Sequence, residues 1–353
     1  GEYTLANDPF SQKALSTSGP GWGMNYLVGF IYLFTGQNIF AAQTFCGIIG
    51  AATAPLVYAC SYKIFQNQRV GKISAILVAL FPAFIIWTGQ LLKDGLIIFL
   101  LVLVMTMILK LQEKFSYTVI IILLLSLFGI LSLRFYIFYM VAIAVVGSFV
   151  VGGGSSVKAI IRSFTALILI GVGLTYFGVL RTASVEIEKF GSLERVQISR
   201  QNLSEAGSGF GEELDVSTTE GAVLALPVGF TYLMFAPFPW EAKNFRQAIT
   251  IPEVFIWWAS IPIMIMGLIY TIKNRLRTSI AILLFTLMLT ISYSIFQGNV
   301  GTAYRQRAQI QVFLFIFIAV GWTLIQERRE NRLIQREIKK QRLEEELKKR
   351  KQD

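Results

Sequence analysis

The sequence predicts an all-α protein, a polytopic bundle of transmembrane helices. Two observations carry that prediction. Of 353 residues, 54% are hydrophobic and only 15% charged, with a mean hydropathy of +0.60; no water-soluble domain of this size has such a composition. The apolar residues also fall in uncharged runs close to the roughly 20 residues that a helix needs to cross the hydrocarbon core. These runs are continuous rather than alternating. That excludes the strands of a membrane barrel, which need only about 10 residues each and alternate polar with apolar.

Charge and residue inventory narrow the chemistry. A formal net charge of +11 would point to nucleic acid in a soluble protein. Here the basic residues gather in short loops and the C-terminal tail, as expected of loops kept in the cytoplasm, and no nucleic-acid partner is expected. The chain has no histidine, so catalysis must rely on carboxylate, lysine, tyrosine or backbone groups. Cys46 and Cys60 lie in one predicted helix, too far apart to pair, and read as packing residues.

Taken in order, residues 1–38 form an extracytoplasmic segment. It is polar to Lys13, irregular around Ser16–Gly21, and closes on an apolar, aromatic stretch from Met24 to Thr35. That stretch is too short to span and reads as an interfacial helix. With residue 1 a glycine and this segment outside, a translocating helix or signal is expected upstream. Residues 39–180 form a transmembrane core. Its spans are Ile39–Cys60, Ile73–Trp87 with a kink at Pro82, Gly95–Leu109, Tyr117–Leu133, Phe135–Val151 and Ser163–Leu180. The loop Ser61–Lys72 holds Lys63, Arg69 and Lys72 without an acid and is assigned to the cytoplasm.

Residues 181–253 read as an extracytoplasmic loop. Within it, Gly221–Trp240 is uncharged but interrupted by Pro227, Pro237 and Pro239. Were it to span, every later basic loop would change sides, so it reads as re-entrant or interfacial. Residues 254–326 supply the spans Val254–Ile272, Ser279–Phe296 and Ala308–Ile325, the first two joined by the basic segment Lys273–Arg277. Residues 327–353 form a charged cytoplasmic helix. Glu344/Lys348, Glu345/Lys349 and Glu346/Arg350 sit at the i,i+4 spacing that supports a solvated helix. Its sparse leucines equally allow a coiled coil, contact with anionic lipid, or a protein partner. The total is about nine spans plus interfacial helices, with the C-terminus cytoplasmic, in a multi-pass protein of a bacterial plasma membrane.

Most of the chain's remaining charge falls on the other side. Lys93 and Asp94 interrupt two long uncharged runs, Ile73–Leu92 and Gly95–Leu109. The pair reads in two compatible ways. Lys93 can reach to the interface while Asp94 caps the following helix, or both can face a polar cavity and meet a charged substrate. Arg134 is the one charge at the next outer turn. The segment Gly298–Arg307 carries two glycines and sets Arg305 and Arg307 at the entry to a helix, where cations oppose the helix dipole unless an anion is present. Membrane anchoring by interfacial arginine is the plainer reading. Pro237–Trp240 reads as an aromatic anchor or as a wall of a lipid groove.

Several of these features together resemble a known group. Gly19-Pro-Gly21, an aromatic-rich short helix, Phe34-Thr-Gly36 and Ala41 to Tyr58, then Phe65, Arg69, Ala79-Leu-Phe-Pro82 and Lys93-Asp94, are similar to the early part of the GT-C superfamily of polytopic membrane glycosyltransferases. That group includes the dolichyl-phosphate-mannose protein mannosyltransferases and the aminoarabinose transferases. The likeness covers roughly residues 15–150, and more weakly Gly298–Arg307; the first transmembrane helix of the family is not in this sequence. The resemblance implies transfer of a sugar from a polyprenyl-phosphate donor to an acceptor on the extracytoplasmic face. It also implies a catalytic aspartate in the first external loop, for which Asp8 is the nearest acid, with Glu2 the alternative.

Asp94 is the second catalytic candidate; Lys93, Arg134, Arg305 and Arg307 are candidates for holding the donor phosphate. A carboxylate can deprotonate an acceptor hydroxyl or hold a divalent cation, so the metal question stays open. Two other readings remain: a polysaccharide polymerase or ligase gripping a lipid pyrophosphate through Arg134, Arg305 and Arg307, and a non-catalytic membrane subunit or transporter. A transporter would favour inverted repeats, and none is found.

Overall fold

A computed structural model describes residues 22–152, 157–176, 192–205, 207–241 and 248–349. Thirteen α-helices account for most of these residues. They are α1 (Gly23–Thr35), α2 (Ile39–Ala51), α3 (Thr53–Phe65), α4 (Gln68–Leu80), α5 (Pro82–Thr88), α6 (Lys93–Glu113), α7 (Tyr117–Leu133), α8 (Phe135–Gly152), α9 (Val157–Tyr176), α10 (Leu193–Ser204), α11 (Thr219–Phe235), α12 (Ile251–Phe296) and α13 (Val300–Lys349). The β-structure among the described residues is one isolated bridge, Gly209 with Asn299. The all-α reading holds, and this is a multi-pass integral membrane protein.

Each break has a local cause. Asn38 and Asn67 adopt extended backbone and cap α2 and α4 through their side-chain oxygens. Gln66 ends α3 in the left-handed region. Pro82 cannot donate its amide, so α4 ends at Leu80 and α5 leaves at 60°.

Six helical segments among the described residues, with α2 and α3 taken together as Ile39–Phe65, are long and apolar enough to cross a membrane, or seven if the bent pair α4–α5 counts as one. The expected nine is not the number that helix length supports. The difference lies in α7, which at 17 residues is shorter than a full span, and in α12, which merges two expected spans.

That merged helix reverses on itself. Arg275 is non-helical (φ −135°, ψ 22°), with the hydroxyls of Thr278 and Ser279 donating to its carbonyl. Before Arg275, Glu253 meets Tyr304 and Gly267 meets Phe317 and Gly321, so this half runs alongside α13 in the same direction. After it, Phe285 meets Phe313 and Tyr293 meets Gln309, so the second half runs against α13. Gly267 and Gly321 allow the first half to approach backbone to backbone: a Cβ on either would lie 1.9–2.0 Å from a carbonyl oxygen of the other helix.

α6 and the membrane-spanning part of α13 form the axis of the bundle. Within their most apolar stretches 78% and 83% of residues are buried, against 22% for the outer span Ile39–Phe65. Cys46 and Cys60 are free and buried on α2 and α3.

The polar contacts sort to two ends. At one, Lys63 pairs with Glu113, Arg69 with Glu330 at 2.8 Å, Asn67 bonds Glu327, and Arg162 donates to the Glu113 carbonyl. Gly152 abuts the carbonyl of Arg277 there. The basic segments of α3–α4, α9 and α12 and the root of the tail therefore share one end. From there α13 continues unbroken to Lys349, its side chains exposed from Arg328 to Glu345.

Candidate functional site

The opposite end carries the candidate groups. Thr88 ends α5, residues 89–92 form no regular helix, and extended Leu92 starts α6. Asp94 thereby falls in the first turn of α6, where the helix dipole favours a carboxylate. Arg134 occupies the extended break between α7 and α8 (φ −150°, ψ 98°), so its side chain is not committed to a helix face.

Asp94 is 1% exposed and is surrounded by donors. Arg134 Nη2 donates to its Oδ1 at 2.9 Å, Gln309 Nε2 donates to the same oxygen at 3.2 Å, and Arg305 Nε stands 3.3 Å from Oδ2. The set closes into a ring. Arg134 Nη1 donates to the Tyr136 hydroxyl at 2.8 Å, Tyr136 and Tyr293 share a 3.5 Å hydroxyl contact, and the Tyr293 hydroxyl donates to Gln309 Oε1 at 2.8 Å. A buried network whose members satisfy one another fixes each side chain.

The ring opens on a cleft of about 440 Å³. Lys93, Arg134 and Arg305 line it, against an apolar wall that includes Met24, Leu92 and Phe296. Lys93 makes no ion pair among the described residues. Three cations face one carboxylate, an excess of two positive charges. Such a cleft attracts an anion, and arginine forks suit phosphate oxygens.

Arg307 lies elsewhere. Helix α13 starts at Val300 rather than after Arg307, so both arginines are helical, and two residues of α-helix rotate a side chain by about 200°. Arg307 is fully buried and donates to the carbonyls of Met234 at 3.1 Å and Ala236 at 2.9 Å, at the end of α11. Tyr304 and Trp257 lie over its guanidinium at 4.9 and 5.7 Å. The expected approach of Arg307 to Lys93 and Arg305 is not what the structure has; the helical start of α13 is the reason. Glu253 belongs with this second cluster. It accepts from the Tyr304 hydroxyl at 2.8 Å.

Asp8 and Glu2 lie outside the described residues. Among the described residues, no group of three or more carboxylate or cysteine side chains is close enough to hold a metal ion.

Sequence reasoning passed over Gln309, Tyr136 and Tyr293, which sit inside apolar runs without a motif. It also passed over Arg200, which is 1% exposed and donates to the carbonyls of Ile295 at 2.9 Å and Gln297 at 2.7 Å. Burial lowers its pKa. Arg200 and Arg307 do the same job: each satisfies carbonyls that a helix end leaves unpaired. Asp215, in the loop before α11, accepts from the Ser217 amide at 2.8 Å, and Ser217 holds its pKa below the usual carboxylate value.

Residues 1–152 match the family model of the dolichyl-phosphate-mannose-protein mannosyltransferases, a stretch that contains Lys93, Asp94 and Arg134. No curated protein sequence matches the chain. Among solved structures, the archaeal oligosaccharyltransferase AglB from Archaeoglobus fulgidus, in complex with an inhibitory peptide and a dolichol-phosphate, superposes with a TM-score of 0.52 at 12% identity. The superposition covers 90% of this chain and 43% of that one, so this chain spans less than half the length of that enzyme. The chain is thus a polytopic membrane protein that is similar over residues 1–152 to the dolichyl-phosphate-mannose-protein mannosyltransferases and shares its fold with an archaeal oligosaccharyltransferase.

Proposed function

We propose that the protein is a membrane glycosyltransferase that takes a sugar from a polyprenyl-phosphate donor and transfers it to an acceptor on the extracytoplasmic face. The observation that carries this reading is the pair of arginines held on one buried carboxylate, Arg134 at 2.9 Å and Arg305 at 3.3 Å from Asp94, in an open cleft beside Lys93. The family match over residues 1–152 supports the reaction class. The solved oligosaccharyltransferase, which holds a dolichol-phosphate, supports a lipid phosphate as the ligand.

In this reaction an acceptor hydroxyl attacks the anomeric carbon and the bond from that carbon to the phosphate oxygen breaks. The phosphate keeps the electron pair, so its charge rises from one negative to two. A cleft with an excess of two positive charges stabilises the product-like charge more than the bound donor, which lowers the barrier rather than only tightening binding. Asp94 has the role of a positioning residue: its oxygens already face Arg134, Gln309 and Arg305, which leaves it poorly suited to take the acceptor proton. Asp8 is the candidate base.

The same three cations favour one other reading, a polymerase or ligase acting on a pyrophosphate-linked glycan. The released lipid separates the two. Native membranes are supplied with sugar-labelled donor, and the lipid product is analysed. Prenyl monophosphate supports the proposal and prenyl pyrophosphate the alternative. Full transfer by Arg134→Ala and Arg305→Ala at normal protein level would sink both.

A further inference from the structure

From a second surface at the same end of the bundle, we infer that Phe238, Trp240 and Trp258, with Tyr232 and Glu241 at their edge, form a binding face for the pyranose rings of a saccharide acceptor. The inference names the acceptor class for the proposed transfer and rests on that reading.

The rings are held from behind. Trp257 and Trp258 donate their indole N–H groups to the carbonyls of Met234 at 2.7 Å and Phe235 at 3.0 Å. Arg307 holds the carbonyls of Met234 and Ala236. The chain leaving α11 is therefore clamped, and Phe238 and Trp240 emerge from it in fixed positions. Phe238 stacks on Trp240 with centroids 5.1 Å apart and planes 18° apart. Trp258 tilts against both at 6.3 Å. Trp240 nevertheless remains 73% exposed. Clamping a large ring and leaving it open is the arrangement of a contact surface rather than of a core.

The polar edge selects the occupant. The Tyr232 hydroxyl donates to Glu241 Oε1 at 3.1 Å, which fixes a carboxylate beside the exposed indole. A hydrocarbon chain lying on Trp240 would strip water from that carboxylate and return nothing. A pyranose ring meets both requirements. Its C–H face carries partial positive charge and packs on the electron-rich indole face, while its hydroxyls donate to the carboxylate in charge-assisted hydrogen bonds.

The test uses the full chain in lipid nanodiscs, with malto-, cello- and chitotetraose as probes. Each is titrated against tryptophan fluorescence and supplied as acceptor with a lipid-linked sugar donor. We expect at least one probe to change the emission of the wild type, and Trp240→Ala to abolish that change. The same substitution should raise the acceptor KM about tenfold while leaving the donor KM and kcat unchanged. Trp240→Phe should be intermediate, and Glu241→Gln should raise the acceptor KM without altering the protein's thermal stability. The inference is overturned if Trp240→Ala leaves the titration and the acceptor KM unchanged. It is equally overturned if brominated lipid quenches Trp240 while none of the saccharides does, for the face is then a membrane anchor. A wild type that binds saccharide through Trp240 yet consumes no donor upholds the binding face and overturns the transferase reading.

Discussion

Arg305 and Arg307 stand two residues apart on α13 and serve opposite sides of it. Arg305 Nε lies 3.3 Å from the Asp94 carboxylate in the open cleft, whereas Arg307 is buried against the carbonyls of Met234 and Ala236. The two arginines therefore predict different failures.

Arg305→Ala should cut donor use tenfold to a hundredfold, on the order of 1.5–3 kcal/mol for one lost charged contact to phosphate. Arg305→Lys keeps the charge and loses the fork, so it should fall between. The measurement is transfer from lipid-linked sugar in membranes, normalised to protein level. An unchanged rate in Arg305→Ala would reduce this residue to a membrane anchor.

Arg307→Ala should act on stability instead. It leaves the Ala236 carbonyl without its arginine donor, at a cost of about 1–3 kcal/mol, and takes from the Met234 carbonyl one of its two donors, the other being the Trp257 indole. A lower unfolding temperature in detergent is expected, together with loss of the folded fraction. Whatever protein remains folded should keep its donor KM; a specific rise in donor KM at full stability would move Arg307 into the phosphate site.

Asp94→Ala removes the shared partner of Arg134 and Arg305 and should destabilise the protein by about 3–5 kcal/mol, the usual consequence of stranding buried charge. The double variant Asp94→Leu/Arg134→Met should recover part of that stability and none of the transfer activity. Thermal unfolding and transfer assays on the same preparations would separate the two effects. If transfer survives in the double variant, the ring has no part in donor binding.

Gly267→Ala and Gly321→Ala each drive a Cβ against a backbone carbonyl of the facing helix. Overpacking of this kind costs at least about 1–3 kcal/mol. Gly47→Ala, where a Cβ meets nothing within 4 Å, serves as the control. Detergent-resistant folded yield is the readout; equal yields for all three would mean that α12 and α13 separate more easily than their contact implies.

Sidedness is tested by labelling single cysteines in intact cells. The native Cys46 and Cys60 are buried and should stay silent. A cysteine at Glu212, exposed near the cleft end, should react with an impermeant maleimide, and one at Asn274 should not. Labelling at Asn274 would invert the orientation.

The apolar helices and the gathering of basic segments at one end were legible in the sequence, because each depends on local composition. A long uncharged run favours a helix wherever it occurs, and Pro82 breaks one through its own backbone. Lys93 and Asp94 were visible for the same reason, as charge isolated within apolar surroundings. Tertiary structure alone decided what those charges meet. Asp94 draws on Arg134 and on Gln309, 40 and 215 residues away, and no local pattern encodes a pairing over that distance. The start of α13 at Val300 set Arg305 and Arg307 on opposite faces, although their spacing had made them look like one phosphate-binding pair. Gln309, Tyr136 and Tyr293 gave no signal because a polar side chain in an apolar run acquires a role only when helix packing brings it a partner. Packing determines which buried polar groups can satisfy one another, and that selection is a property of the assembled bundle rather than of any one segment.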